Sequence, residues 1–218
     1  MTLQSDRSTL KRLPSRGHYD RDTLYRFLDQ EFLCHVAFCD QGRPVIIPTA
    51  YGRSGDNLFL HGSAKSRLMH HLAGGGEASI AVTRLEGIVL ARSLFHSSMN
   101  YHSAVLFGRG SEVVDPEEKM EGLRVVTESI WRGRWDEARL PSDGEMQATR
   151  VIRFPIAEGS VKIRTGPAKD NAEDYDLDIW AGVIPVHLQY GTPVPDERLP
   201  EGIALPPSLA QHRRITGL

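Results

Sequence analysis

Residues 58–72 read LFLHGSAKSRLMHHL, and this stretch changes character twice. Its first residues, Leu58 to Leu60, are apolar and fit a short buried strand. Gly62 and Ser63 follow, and both residue types are favoured in tight turns. Apolar residues then recur at helical spacing, at positions 68, 69 and 72, until the glycines at 74–76 end the pattern. The stretch therefore predicts a strand, a tight turn and a short helix.

Two cations, Lys65 and Arg67, lie in the first turn of this predicted helix. The helix dipole already makes that end positive, so cations there are unfavourable unless an anion binds. Ser63 or Ser66 is placed to cap the helix, and the backbone N–H groups of a helix start bind phosphate well. The spacing alone leaves two interpretations open: a phosphate site, or solvated surface charges.

His61 ends the predicted strand on the same face as Phe59, because alternate residues of a strand share a face. It adjoins the predicted phosphate site. Its residue type suits a packed side chain, a proton donor or a hydrogen-bond partner within the turn. His61 is also the candidate catalytic residue, since no other side chain is a better acid–base candidate.

The rest of the chain predicts further strands and two further helices. One helix begins at Asp20 or Asp22 and carries Leu24, Phe27 and Leu28 at helical spacing, and another begins at Asp115. The predicted strands cover residues 34–39, 43–51, 57–61, 78–83, 87–91, 102–114, 149–156 and 160–165. This order favours a mainly β fold, a barrel with helical insertions, over a doubly wound parallel sheet.

Composition and charge restrict the classes of partner. The chain has 218 residues, 40% of them hydrophobic and 25% charged, which is ordinary for a globular protein with a buried core. Its formal charge of −2 gives no overall attraction to nucleic acid or to a membrane surface. Any anion site must therefore be local.

Cysteine usage and the amino-terminal residues indicate a cytoplasmic protein. Cys34 and Cys39 fall on opposite faces of one predicted strand, so a disulfide between them is not expected. The polar start of the chain does not resemble a signal peptide, and no apolar run is long enough for a transmembrane helix. The histidines lack metal-ligand spacing, so no metal site is expected.

Three segments differ in composition. Residues 1–20 are rich in Arg, Ser and Thr and are expected to form a flexible, poorly packed arm. Residues 21–166 hold the predicted strands and helices. Residues 167–218 form a proline-rich extension that is expected to pack on the barrel or on a partner subunit.

Taken together, several motifs resemble the flavin-nucleotide-binding branch of the pyridoxamine 5′-phosphate oxidase-like family, which includes the Nim-type nitroimidazole reductases. The resemblance extends from about Tyr19 to Pro185, and the order and spacing of the motifs make it specific. The motifs are Pro48-Thr49-Ala50-Tyr51, the 58–68 stretch, Leu90-Ala91-Arg92-Ser93, the segment 98–105, Phe107-Gly108 and Trp180-Ala181-Gly182-Val183-Ile184-Pro185.

The resemblance implies an FMN-binding split barrel of six antiparallel strands in a Greek-key-like arrangement with flanking helices. It also implies a homodimer with FMN at the subunit interface. The strand at Ile47, Pro48 and Thr49 would line the flavin ring through its backbone. The remaining implied cofactor-binding residues are His61 near the flavin, Ser63 in the phosphate-binding element, Lys65, Ser66 and Arg67 at the phosphate, and Tyr101 and Ser103, which would approach the flavin or its phosphate from a neighbouring strand.

Two positions leave questions open. The family often carries a basic residue between the Tyr and Ser of the last motif, and this chain has His102 there, which is a weaker cation. Lys162 and Arg164 share one face of a predicted strand. They are either solvated or contact a substrate or the phosphate of a second cofactor.

The function that follows is FMN-dependent reduction of a small electron-poor substrate, with NAD(P)H as electron donor. Three alternatives remain: a pyridoxamine 5′-phosphate oxidase-type oxidase, a non-catalytic flavin-binding or storage protein, and a split barrel that holds haem or a deazaflavin. A true pyridoxamine-phosphate oxidase would need a second phosphate site and its own substrate-binding arginine and histidine near the C-terminus, which the proline-rich tail does not obviously offer.

Overall fold

The computed structural model of the protein describes residues 2–210, which form one antiparallel sheet with helices packed around it. The strands are β1 Gly17–His18, β2 Leu33–Asp40, β3 Arg43–Ser54, β4 Asn57–Ser63, β5 Glu77–Leu90, β6 Ser98–Arg109, β7 Ser111–Glu112, β8 Thr149–Pro155, β9 Glu158–Arg164 and β10 Gly182–Pro185. The helices are α1 Arg21–Leu28, α2 Arg67–Ala73, α3 Pro116–Ile130, α4 Asp143–Ala148 and α5 Pro207–Ala210.

The strand order is β1-β9-β6-β5-β2-β3-β4-β8-β7, with β10 added to the outer part of β5. The sheet forms an open barrel, and the opening lies where β3 and β4 diverge. β3 pairs with β2 over Arg43–Ala50, but it pairs with β4 only over Tyr51–Ser54. The barrel is therefore split between residues 43–50 of β3 and the end of β4. The predicted mainly β split barrel with helical insertions is confirmed.

Two apolar cores hold this arrangement. The larger core fills the barrel and includes Leu58 and Leu60 of β4. The smaller core lies between the outer face of the sheet and α3, and it includes Phe59 and Val126. Full burial of a side chain such as Phe59 stabilises the fold by about 1.5–3 kcal/mol. Successive residues of β4 thus point alternately into the two cores, which fixes the direction of His61 after them.

Local sequence explains the elements that frame the split. Asp20 caps α1, since its side chain accepts a hydrogen bond from the N–H of Thr23 at 2.8 Å. The turn between β2 and β3 has positive φ at both central residues, 49° at Gln41 and 75° at Gly42. That geometry defines a two-residue hairpin and sets the register of the two strands. The predicted α1 helix and the predicted hairpin are confirmed.

Other predictions from the sequence were wrong in detail. Residues 1–20 were expected to be poorly packed, yet Leu3 is 1% exposed and belongs to the barrel core. Residues 77–90 form one strand instead of two, because a bulge between Leu85 and Gly87 carries the chain through the polar interruption. In the described residues the sheet has ten strands, and three of them, β1, β7 and β10, are short additions to longer strands.

The proline-rich segment after residue 166 follows an extended path. Within it, β10 pairs with the outer part of β5, at Val183 opposite Val89. Tyr190 packs edge-on against Trp131, with ring centroids 5.7 Å apart. The predicted extension therefore packs on the sheet and on the end of α3 over part of its length. Residues 211–218 of the predicted extension lie outside the described residues.

Candidate functional site

The split between β3 and β4 presents backbone groups that no strand in the described part of the chain pairs with. The hairpin turn makes Asp40 and Arg43 the first hydrogen-bonded pair, so β3 bonds to β2 at every second residue from Arg43 onward. The alternate residues of β3, which do not bond to β2, turn their backbone N–H and C=O groups toward the split. Ile46 and Pro48 are two of these residues, and Pro48 loses nothing there because it has no N–H to pair.

Side chains of β3 alternate between the barrel core and the outer face of the sheet. Ile47 packs on the barrel core, whereas Ile46 is 66% exposed on the outer face. Thr49 is half-buried and its hydroxyl reaches only its own neighbouring carbonyl, that of Ala50, at 3.4 Å. The strand thus offers free carbonyl and N–H groups beside apolar side chains. That combination suits a flat, partly apolar ring with hydrogen-bonding groups on one edge.

The start of α2 lies at one end of the split, and backbone hydrogen bonds within the turn and to α4 hold the turn before it. The N–H of Ser66 donates to the carbonyl of Ser63 at 2.9 Å, and the N–H of Ala64 donates to the carbonyl of Ala148 at 2.8 Å. Ser66 occupies the cap position, but its hydroxyl makes no capping hydrogen bond. The Ser63 hydroxyl accepts from the N–H of Lys65 at 3.2 Å instead.

Both predicted cations lie at this end with little to neutralise them. Lys65 is exposed, and its ammonium forms no ion pair with any described residue. The Arg67 side chain is 61% exposed and stands 3.8 Å from a carboxylate oxygen of Asp40, at the tip of the β2–β3 hairpin. An exposed pair at this distance contributes at most about 1 kcal/mol. The two cations are therefore available to an anion.

His61 projects away from the barrel interior, on the Phe59 side of β4 as predicted. It lines a cavity of about 340 Å³ together with Leu123 of α3 and Thr149 of β8. Its Nδ1 atom is buried and has no hydrogen-bond partner among the described residues. Burial lowers the pKa of the imidazole, so the ring is neutral at neutral pH. A buried, unpaired ring nitrogen is a hydrogen-bonding position that a ligand would satisfy.

The outer wall of this cavity was not predicted from the sequence. Arg139 and Glu145 line it with Pro141, and the Arg139 guanidinium donates two hydrogen bonds of 2.8 Å to the Glu145 carboxylate. Glu145 also completes a capping box with Ser142 at the start of α4. The Arg139 guanidinium, followed by the Ser142 bonds, lowers the pKa of Glu145 to about 2. The Ser-x-x-Glu spacing at 142–145 was the available signal.

Tyr101 and Ser103 lie elsewhere in the subunit. Both belong to β6, and the sheet order places β6 three strands from β3. Three strand spacings amount to about 14 Å. The expected approach from a neighbouring strand is therefore wrong within one subunit. Ile47, Pro48 and Thr49 lie on one side of the split and the end of β4 with His61 lies on the other, whereas Tyr101 and Ser103 lie on β6.

His102 points to the opposite face of β6 from Tyr101 and Ser103. Its ring packs against that of Phe27, with centroids 5.5 Å apart, and Nδ1 lies 3.0 Å from a Glu86 oxygen without hydrogen-bond geometry. Burial lowers the pKa of His102 although the Glu86 carboxylate opposes that shift. A neutral, inward-facing His102 is not placed to bind the same phosphate as Tyr101 or Ser103.

Metal-binding and membrane-spanning features are absent from residues 2–210. These residues contain no cluster of three or more His, Cys, Asp or Glu side chains arranged to hold a metal ion. None of their helices is both long and apolar enough to cross a membrane.

The fold and the split together define a class: the flavin-binding split barrels, in which a mainly antiparallel sheet opens between two strands. Residues 20–163 match the family model of pyridoxamine 5′-phosphate oxidase, and the chain belongs to that family. No curated protein matches the sequence.

Two solved structures are similar over nearly the whole chain. The flavocytochrome Anf3 from Azotobacter vinelandii is 36% identical, with 96% of this chain and 97% of that chain covered and a TM-score of 0.90. The FAD and haem binding protein from Mycobacterium smegmatis is 37% identical, with coverage of 89% and 96% and a TM-score of 0.86.

A more distant structure shares the fold. A protein from Bacteroides thetaiotaomicron named for 5-nitroimidazole antibiotic resistance is 20% identical, with 67% of this chain and 86% of that chain covered and a TM-score of 0.56. At this identity the likeness concerns the fold alone.

Proposed function

We propose that the chain is a flavin-dependent oxidoreductase that holds the FMN portion of its cofactor in the split between β3 and β4. The observation that carries the proposal is the unpaired edge of β3 at residues 43–50, next to a turn with two available cations. The β3 backbone would bond the ring edge. Lys65, Ser66 and Arg67 would hold the phosphate, as charged groups at a helix start do.

The FMN group occurs both as the free cofactor FMN and as part of FAD, and we propose that this chain binds FAD. The sequence prediction was FMN. The Mycobacterium smegmatis protein, at 37% identity, is an FAD and haem binding protein, and this favours FAD. The turn at residues 63–67 would contact only the phosphate that FMN and FAD share, so it would accommodate either form. Release of the cofactor by denaturation, followed by chromatography, separates FMN from FAD.

The proposed reaction is transfer of reducing equivalents from NAD(P)H to a small electron-poor substrate. The flavin supplies the hydride chemistry, and the protein orients it and leaves one face of its ring accessible. His61 would act as a neutral hydrogen-bonding neighbour of the flavin, since its Nδ1 is unpaired and its pKa is lowered. His61 would therefore position the flavin ring and would not supply a permanent positive charge.

The proposal includes a homodimer. In the same subunit, Tyr101 and Ser103 are about 14 Å from β3 along the sheet. At that distance they cannot contact the phosphate of a flavin that is bound in the split. A two-fold partner would bring its own Tyr101 and Ser103 to the split. The exposed apolar side chains Leu33 and Ile46, at 50% and 66% exposure, lie on the same outer face and would be covered in such a dimer.

An absorption spectrum of the purified protein, followed by anaerobic addition of NADPH, tests this function. The expected result is an oxidised-flavin spectrum that bleaches when the donor is added. Bound flavin that neither NADH nor NADPH reduces would support a storage role and contradict the oxidoreductase. Hydrogen peroxide release on addition of pyridoxamine 5′-phosphate would support the oxidase alternative.

Haem binding beside the flavin is the second candidate, because the two similar proteins are a flavocytochrome and an FAD and haem binding protein. A histidine imidazole is one of the side chains that ligate haem iron, and apolar walls and a cation suit its ring and its carboxylates. His187 lines a cavity of about 610 Å³ with Leu85, Val186 and Leu188, and Arg84 lies in the same wall. A Soret band that His187→Ala removes would support this site, and a retained band would exclude His187 as the ligand.

A further inference from the structure

A row of polar side chains crosses three strands on the outer face of the sheet. Thr83 of β5 lies opposite Ser103 of β6, and Ser103 lies opposite Lys162 of β9. The hydroxyl oxygens of Thr83 and Ser103 are 3.3 Å apart. Tyr101 and Arg164 form the next opposing pair on this face. Opposing residues of antiparallel strands share a face, so hydroxyl and cationic groups converge here.

Arg164 is unusual because it is a buried cation with only neutral partners. It is 7% exposed, and its guanidinium donates to the side-chain oxygen of Asn100 and, at 3.4 Å, to the carbonyl of Pro167. It forms no ion pair with a residue in the range 2–210. A buried charge without a counter-ion is costly, and burial together with nearby Arg16 lowers the pKa of Arg164.

The surrounding cations are also without acidic partners in the part of the chain that the structure describes. The Lys162 ammonium donates to the carbonyl of Arg12 at 3.3 Å, and no carboxylate contacts it. Gly17 of β1 lies opposite Lys162, which places Arg16 beside this end of β9. A chain with a formal charge of −2 thus concentrates positive charge on one small area. Such a concentration attracts an anion.

We propose that Ser103, Lys162 and Arg164 form a binding site for the pyrophosphate of a dinucleotide. The proposal rests on the function given above and extends it to a second phosphate-binding position. Hydroxyl groups and two cations on adjacent strands suit a group with several charged oxygens. The site spans β6 and β9, which are three and four strand spacings from β3, or about 14–19 Å along the sheet, so a phosphate bound at Lys65 and Arg67 of the same subunit does not reach it.

Two sources supply this chemistry. A nicotinamide dinucleotide whose ring stacks on the flavin would carry its pyrophosphate across the outer face of the same subunit. The pyrophosphate of FAD would arrive instead from the split of a second copy. The two sources share the recognition chemistry and differ in which ligand loses affinity when Lys162 is changed.

The test compares Lys162→Met with Arg26→Met, since each side chain donates to a backbone carbonyl, which is that of Asp22 at 3.2 Å in the case of Arg26. Calorimetry measures the Kd of FMN, FAD and NADP⁺ for the full-length protein freed of cofactor, with NADP⁺ added to the FMN-loaded form. Lys162→Met is expected to weaken one dinucleotide about tenfold and to leave FMN unchanged. Arg164→Lys, with melting temperature recorded, repeats the test at the buried cation.

The outcomes distinguish the two ligand sources and test whether the site exists. A loss for NADP⁺ assigns the site to the electron donor, and a loss for FAD assigns it to the flavin of a partner copy. Equal affinities for all three ligands in Lys162→Met and Arg26→Met would overturn the site. Parallel losses for FMN and FAD would place the flavin monophosphate there and overturn the pyrophosphate assignment. Failure of the wild-type protein to bind FMN would contradict the proposed function separately.

Discussion

Replacing both cations at the start of α2, by Lys65→Ala with Arg67→Ala, is expected to weaken flavin binding about 100-fold. A charge-assisted hydrogen bond contributes about 1.5–3 kcal/mol. Arg67 is 61% exposed, so solvent screening favours the lower value for each cation. The sum of about 3 kcal/mol corresponds to two factors of ten in Kd. Quenching of FMN fluorescence during titration measures this Kd directly.

The same variant should fold normally, because the Arg67–Asp40 pair is exposed and 3.8 Å long. Arg109→Ala is the matched control: the Arg109 side chain is 63% exposed and forms a 3.5 Å pair with Glu77. Loss of FMN affinity in the double variant, with the control unchanged, supports a phosphate site at α2. An unchanged Kd in the double variant would place the phosphate elsewhere and refute the reasoning.

Three further outcomes follow from the structure. Gly52→Ala should lower the melting temperature at a cost of about 1–3 kcal/mol, because the added Cβ would meet the carbonyl oxygen of Val125 at 2.4 Å; an unchanged melting curve would show that α3 does not pack as described. A thiol reagent should modify Cys39 alone in the native protein, since burial raises the pKa of Cys34 to about 12, and rapid reaction of two thiols would contradict that burial. His61 has a folded pKa below its usual 6.5, so the unfolded chain binds its proton first and stability should fall as pH drops below 6.5; His61→Gln should flatten this slope, and equal slopes would exclude His61 as its source.

Much of the fold was predictable because it depends on local signals. The Asp20 cap, the turn at Gln41 and Gly42, and the glycines that end α2 each act within a few residues. The bulge of β5 was missed since Arg84 and Glu86 interrupt the apolar pattern, while the opposing β6 keeps the strand continuous. Burial of Leu3 was missed because tertiary packing determines it, and the local composition is polar.

The candidate site likewise has a part that local sequence predicts and a part that depends on tertiary structure. The 61–67 turn was visible in the sequence, since strand, turn and helix follow one another directly. The separation of Tyr101 from Pro48 was not, because it depends on the order of strands in the sheet. The wall of the His61 cavity comes from a segment near residues 139–145, far along the chain, which only the packed structure brings to β4. Pattern alone predicts contacts poorly when they cross the sheet.

The most direct test of flavin binding in the split is a titration of the cofactor-free protein with FMN, followed by absorption and fluorescence. We expect saturable binding, with an oxidised-flavin spectrum that the protein retains after gel filtration. A colourless protein that takes up neither FMN nor FAD would contradict flavin binding in the split.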